Sequence, residues 1–250
     1  MKYYVISDVH GFYTQMTAAL TAAGFFADQG PHKLVVLGDL LDRGIETVAV
    51  QNFIADLLEK NMVILIRGNH EDLLEELATV DAGLSYRHHV DNGTYFSALE
   101  LTGYDVRTAH DNCCKFADAI RDTIFYKKIM PAMVNYHESE HYIFVHGWIP
   151  FRHVKGDFSR IDDWRIAPLD KWKEARFENG MEAAAKKITE PGKTIVCGHW
   201  HASYGHAVLE GKGSEFGPDA DFSPYYGEGV IAIDACTAYS GLMNCIVIED

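Results

Sequence analysis

The sequence predicts a mixed α/β fold built as one elaborated domain over residues 1–250, on three observations. Short apolar runs of strand length recur along the chain. Patterns of helical spacing separate the early ones. The residues that follow the runs are polar, glycine-flanked and rich in Asp and His. The runs cover residues 3–7, 34–37, 63–66, 142–145, 194–197, 230–233 and 245–248.

Between the first three runs, residues 13–23 read as a helix closed by Gly24, and residues 45–60 carry apolar side chains at helical spacing. Residues 71–80 do the same after the third run. This β-α-β-α-β-α order predicts parallel neighbours in one sheet. The stretch 81–141 is rich in His and Tyr with weaker periodicity. It reads as a helical cap-like insertion, with residues 113–127 as one of its helices. Residues 169–187 read as a single helix ended by Pro191-Gly192, and residues 210–229 as a long surface loop or a pair of short strands. The strand-rich last third predicts a second sheet.

Composition bounds the function. Half the residues (48%) are hydrophobic and 23% are charged, enough for a sizeable core and against disorder. The formal charge is −14 with no Lys/Arg cluster, which excludes tight binding of a long nucleic-acid duplex. Five Cys without a Cys-x-x-Cys spacing read as reduced thiols. No apolar run reaches membrane-spanning length and no leader pattern opens the chain, so the expectation is a cytoplasmic protein with no membrane partner.

The informative pattern is what each run delivers. The first is followed by Asp8-Val9-His10-Gly11, the second by Gly38-Asp39-Leu40-Leu41-Asp42-Arg43-Gly44, the third by Arg67-Gly68-Asn69-His70-Glu71. Later runs deliver His146-Gly147-Trp148 and Gly198-His199-Trp200-His201. Ligands bind beyond the carboxyl ends of parallel strands. Asp8, Asp39 and Asn69 stand 31 and 30 residues apart, about one βαβ unit each, which places them on neighbouring strands. Two Asp, one Asn and three or four His exceed a single tetrahedral site and suit two ions of Mn, Fe, Zn or Co, with Asp39 as the central, bridging candidate. Such a pair can acidify a bound water to near neutrality and clamp a phosphoryl group in displacement.

These motifs resemble the phosphoprotein phosphatase family of calcineurin-like metallophosphoesterases. The matches are Asp8-x-His10-Gly11, Gly38-Asp39-x-x-Asp42-Arg43-Gly44, Gly68-Asn69-His70-Glu71, His146-Gly147 and Gly198-His199, in the family's order over residues 8–199. The compact chain is most similar to the bacterial and phage branch. The resemblance implies a four-layer αββα sandwich. It implies that Asp8, His10 and Asp39 hold one metal, and that Asp39, Asn69, His146 and His199 hold the other. It gives His70 the role of proton donor to the leaving oxygen, with Asp42 orienting it, and Arg43 that of gripping the phosphate. Residue chemistry agrees, since a His beside a carboxylate is a proton donor suited to neutral pH and Arg suits bidentate phosphate contact.

The family usually adds a second phosphate-binding Arg between the last two His motifs. Here Arg160, Arg165 and Arg176 compete, with Arg176 favoured and Arg165 next. His201 is a ligand in relatives with a Gly-His-x-His motif and a bystander otherwise. Trp148 and Trp200 adjoin ligand His residues as pocket walls or as packing. Glu71 reads as a helix-start carboxylate, Arg67 as a brace for a neighbouring loop, and Asp234 as structural despite following an apolar run. His88, His89, His110, His137, His141 and His153 have no partner spacing and read as structural or surface residues.

Three functions follow. The first is a metal-dependent Ser/Thr protein phosphatase acting on phosphoproteins or small phosphoesters, by direct attack of a metal-bridging water or hydroxide. The second is a hydrolase of dinucleoside polyphosphates, similar to the symmetrical tetraphosphatases, distinguished by the cap and by residues 210–229. The third is a non-catalytic metal-binding domain, disfavoured because ligands and the acid His70 occur together.

Overall fold

The computed structural model describes residues 1–79, 86–154 and 157–250. The end of the helix expected at residue 80, the start of the insertion expected at residue 81, and the side chain of His153 lie outside the described residues. The first unit alternates β1 (Lys2–Ile6), α1 (Tyr13–Ala23), β2 (His32–Val36), α2 (Thr47–Glu59), β3 (Val63–Leu65) and α3 (Asn69–Leu77). Helix α1 buries Met16 and Leu20 and stops at Gly24, whose φ of 89° lets its N–H reach the carbonyls of Leu20 and Thr21. The three strands pair in parallel, Tyr4 with Leu34 and Leu34 with Val63, as the alternation predicts.

A helical segment follows: α4 (Tyr86–Asp91), α5 (Thr94–Thr102), α6 (Val106–Asp111), α7 (Cys113–Asp122), a wide turn at Phe125–Ile129 and α8 (Met130–Ala132). The helix expected over residues 113–127 ends at Asp122, because the Thr123 hydroxyl takes over the Ile120 carbonyl and the chain widens into the turn. Phe116, Ile120, Phe125 and Ile129 pack into the same apolar cluster as Leu20, Ile54 and Leu74, so this segment covers the outer face of the first sheet.

The remaining elements are β4 (His137–Glu138), β5 (Tyr142–Phe144), β6 (Phe151–Val154), β7 (Asp157–Arg160), α9 (Leu169–Ala175), α10 (Gly180–Ala185), β8 (Thr194–Cys197), β9 (Tyr225–Gly227), β10 (Val230–Ala232), α11 (Thr237–Ser240) and β11 (Ile246–Glu249). The second sheet has the order β4-β5-β8-β10-β9. Strand β11 does not join it. It pairs antiparallel with β1, Tyr3 opposite Ile248, and completes the first sheet as β11-β1-β2-β3. Residues 169–187 form two helices rather than one, since the Asn179 side chain accepts from the N–H groups of Met181 and Glu182 and starts a new helix.

Tyr3, Val5, Val35, Leu37 and Ile66 of the first sheet pack on Phe144, Val196 and Ile233 of the second. Trp148, Trp164, Trp172 and Met181 cover the second sheet's other face together with Ile143, Ile195 and Val230. The layers therefore run helix, sheet, sheet, helix, the expected αββα sandwich. Each fully buried aliphatic side chain in the inter-sheet layer contributes roughly 1.5–3 kcal/mol by leaving water. No described helix is long and apolar enough to cross a membrane.

Candidate metal centre

The carboxyl ends of β1, β2 and β3 meet those of β5 and β8 at one rim, because the two sheets pack face to face with these strands near their middles. Backbone strain concentrates there. Among the described residues nine non-glycine residues have positive φ, and six of them are Asp8, His10, Asp39, Asp42, Arg43 and His199. A left-handed residue with a side chain costs on the order of 1–3 kcal/mol and persists where the surroundings over-determine it. The neighbouring glycines are required for close approach. A Cβ on Gly68 would overlap Asp39 Oδ1, and one on Gly198 would overlap Asp8 Oδ2.

Two donor clusters form at this rim, and Asp39 belongs to both. One joins His10, Asp39 and His70, the other Asp39, His146 and His199, each with donor atoms within 4.8 Å of one another. His10 Nε2 lies 3.7 Å from Asp39 Oδ2, and His146 Nε2 lies 3.4 Å from Asp39 Oδ1. The far nitrogens are tied back to the main chain, His10 Nδ1 to the Leu41 carbonyl at 2.9 Å and His146 Nδ1 to the Leu37 carbonyl at 2.6 Å. Those bonds put the hydrogen on Nδ1 and leave the Nε2 lone pairs facing the cluster. Asn69 Oδ1 is 2.9 Å from His146 Nε2. Asp8 Oδ2 accepts the His199 N–H at 2.9 Å. The structure thus gathers all six sequence-predicted ligands.

Electrostatics points the same way. Burial holds His10, His146 and His199 below the usual histidine range, His199 at about 3, so each ring is neutral and able to bind a cation. Burial raises the Asp8 carboxyl, and the charges of Asp234 and Asp39 raise it further. Burial likewise would raise Asp39, but His146, His70, His10 and His199 around it hold it below the ordinary carboxylate range. Buried carboxylates gathered with neutral imidazoles form a donor set suited to metal cations, with N and O ligands and no thiolate.

Beside the clusters, His70 Nδ1 and Asp42 Oδ2 are 2.6 Å apart, both side chains buried. Burial opposes charge on His70, yet Asp39 and Asp42 outweigh it and raise its pKa. Arg43 Nη2 stands 3.5 Å from His70 Nε2. The His70 ring also belongs to the first cluster, 3.9 Å from Asp39 Oδ2, but its Nδ1 is committed to Asp42.

The three competing arginines are all paired. Arg176 is buried, bound to Asp72 and to Asn135 Oδ1, and close enough to the centre for its charge to act on His146. With Arg67, which grips Asp72 and Glu75, it lines a cavity of about 570 Å³. Arg165 forks onto Glu138 and reaches Glu190, and Arg160 binds Glu190. His201 stands outside both clusters, 3.0 Å from Ser203 Oγ and 3.2 Å from Glu215 Oε1. Trp148 is packing, its indole N–H donating to the Ile188 carbonyl.

Two carboxylates matter more here than sequence reading assigns them. Glu71 accepts from the N–H groups of Gly68, Asp39 and Leu40 at 2.8, 3.1 and 2.9 Å, so it clamps the β2 and β3 turns together. Glu71→Ala strands these buried donors. It is expected to lower stability by about 3 kcal/mol and the melting temperature by about 6–12 °C, measured by thermal denaturation. Asp234 is buried after β10, accepts the Cys236 N–H at 2.7 Å, and exchanges charge effects with Asp8, Asp39 and Arg43. Burial first, with Asp39 adding, pushes its carboxyl up to about 6. Its position after an apolar run is the signal that marks the other rim residues too.

A sequence profile described as calcineurin-like phosphoesterase matches residues 1–222. The chain is 26% identical, over a 286-residue alignment spanning all of it and 92% of the relative, to the symmetrical bis(5′-nucleosyl)-tetraphosphatase of Salmonella paratyphi A. It is 41% identical over 76 residues to the asymmetrical bis(5′-nucleosyl)-tetraphosphatase PrpE of Bacillus subtilis, a match spanning 28% of this chain and only 31% of that relative. Among solved structures, a cold-active protein-tyrosine phosphatase from a Shewanella psychrophile superposes with a TM-score of 0.53 at 17% identity, covering 100% of this chain and 75% of that one.

Proposed function

The chain belongs to the calcineurin-like phosphoesterase family, and from that premise we propose that it hydrolyses phosphoesters at a metal pair, with a dinucleoside tetraphosphate as its favoured substrate. One observation carries the chemistry. A single buried carboxylate, Asp39, belongs to both donor clusters, with His70 and Arg43 beside them. Two ions of Mn, Fe or Zn bound there supply a water acidified to near neutrality and positive charge for the phosphate oxygens.

The chain's own residues do the rest. Asp8, His10 and Asp39 would hold one ion, and Asp39, Asn69, His146 and His199 the other. His70, oriented through Nδ1 by Asp42, presents Nε2 to the leaving oxygen and donates its proton there. Arg43 orients the phosphate through paired N–H groups. Arg176 is our proposed second phosphate cation, reached by exchanging Asp72 for substrate. The net charge of −14 repels a polyphosphate, so the rim's cations must capture it locally.

The substrate assignment rests on the relatives that align along nearly their whole length, which are named for symmetrical cleavage of dinucleoside tetraphosphates. The ordered set of phosphatase motifs supports a second reading, a phosphomonoesterase of the Ser/Thr type. Turnover of diadenosine tetraphosphate beside a phosphoserine peptide, with added manganese, separates them. The expected result is a higher kcat/KM on the dinucleotide, with two ADP as products. Preference for the peptide supports the second reading, and metal-loaded protein inert on both reinstates a binding domain.

A further inference from the structure

Helix α5 lies on the turn that carries Asp42 and Arg43, and its contacts converge on the proton-donor pair. Thr94 is fully buried, and its hydroxyl donates to Asp42 Oδ2 at 2.7 Å. That same oxygen is the one 2.6 Å from His70 Nδ1. One turn along α5, Ser97 Oγ accepts the Asp42 N–H at 2.9 Å. The turn so held is strained, with φ of 79° at Asp42 and 66° at Arg43. Nothing larger than glycine fits between helix and turn at Gly93, since a Cβ there would lie 2.5 Å from the Arg43 nitrogen.

Two donors on one carboxylate oxygen fix the rotation of the carboxyl group, and the carboxyl group fixes the imidazole. From these contacts we propose that Thr94 and Ser97, supplied by the helical segment after α3, are positioning residues that aim the His70–Asp42 pair at the leaving group. This rests on the acid role given to His70 above. In that step the P–O bond to the leaving group breaks and its electron pair stays on the leaving oxygen. The His70 Nε2 proton goes to that oxygen, and water supplies the oxygen that replaces it at phosphorus. The hydroxyl of Thr94 touches neither substrate nor ion. It acts only through Asp42. A misplacement of about 1 Å in a catalytic group can cost on the order of a hundredfold, so loss of one of the two holding bonds has a readable effect.

The test compares two aryl monoesters. Phenyl phosphate releases a basic phenolate that needs a proton; dinitrophenyl phosphate releases a leaving group that does not. Thr94→Val keeps the shape and removes the donor. It is expected to lower kcat on phenyl phosphate by about tenfold or more, a fraction of the general-acid effect. On dinitrophenyl phosphate kcat should stay near wild type, with KM unchanged on both esters. Thr94→Ser should restore the phenyl phosphate rate, and metal content should match wild type throughout. In metal-free protein the downfield His70 Nδ1–H resonance should shift or broaden in Thr94→Val and return in Thr94→Ser, a readout independent of turnover.

Should Thr94→Val not fold, Thr94→Ala serves the same comparison. An equal fall on both esters, or no fall on phenyl phosphate, overturns the proposal. Asp42→Asn separates this failure from failure of the acid assignment itself. If Asp42→Asn is selective for phenyl phosphate and Thr94→Val is not, only the positioning role is lost. If Asp42→Asn is also unselective, the acid role and the positioning role fall together.

Discussion

Asp39→Asn is expected to lose both metal ions rather than one. Asp39 is the residue common to the two donor clusters, with Oδ2 toward His10 and Oδ1 toward His146. An amide keeps the shape but replaces one oxygen by a nitrogen that cannot coordinate, and it removes the negative charge on which two cations depend. His10, His70 and His146 turn imidazole nitrogens toward the two Asp39 oxygens, an arrangement built for a carboxylate. Elemental analysis should find metal reduced at both sites together, and turnover should fall by at least about 10²–10³, as when a preorganised electrostatic centre is removed. Retention of a full metal complement would show that the two clusters do not share this residue as a bridge.

His70→Ala is expected to behave in the opposite way, with metals retained and kcat reduced by a factor of order 10²–10⁴, the usual worth of a general acid. The geometry makes this a sharp contrast. His70 lies near enough to Asp39 to count among the donors of the first cluster. Its Nδ1, however, is bound to Asp42, and Arg43 stands against its Nε2. The proposed ligands His10 and His146 are oriented differently, with Nδ1 held by the carbonyls of Leu41 and Leu37. Equilibrium dialysis with manganese reads the difference. A large loss of metal affinity in His70→Ala would make His70 a ligand and leave the proton donor to be sought elsewhere.

Much of this rim was legible in the sequence because strand and candidate ligand lie next to each other in the chain. An apolar run fixes a strand, and the polar residues after it fall at the strand's carboxyl end, so Asp8, Asp39, Asn69, His146 and His199 could be placed on one rim by what precedes them, the first three also by their spacing. Helix α1 was legible for the same local reason, with Gly24 to stop it. What escaped reading depends on contacts distant in sequence. The run at residues 245–248 joins β1, nearly the whole chain away, and nothing local chooses that sheet over the other. The antiparallel β6–β7 pair holds Arg152, His153, Asp157 and Arg160 and has no apolar run to announce it. Residues 169–187 keep helical spacing across the break, which is made by the side-chain cap of Asn179.

The same distinction holds within the site. Glu71 reads locally as a helix-start carboxylate, and it is one. Its further bonds to the N–H groups of Asp39 and Leu40 cross between two strands and leave no trace in spacing. Thr94 meets Asp42 across 52 positions, and Asp234 reaches the rim from the second sheet. Thr94 has no local mark and is found only when the chain is folded, whereas Asp234 carries the mark of the apolar run before it.

The proposed chemistry needs two ions coupled through Asp39, and electron paramagnetic resonance of the manganese-loaded protein tests this most directly. A spin-coupled pair that disappears in Asp39→Asn is the predicted spectrum. The spectrum of isolated manganese ions, in wild type and variant alike, would contradict it.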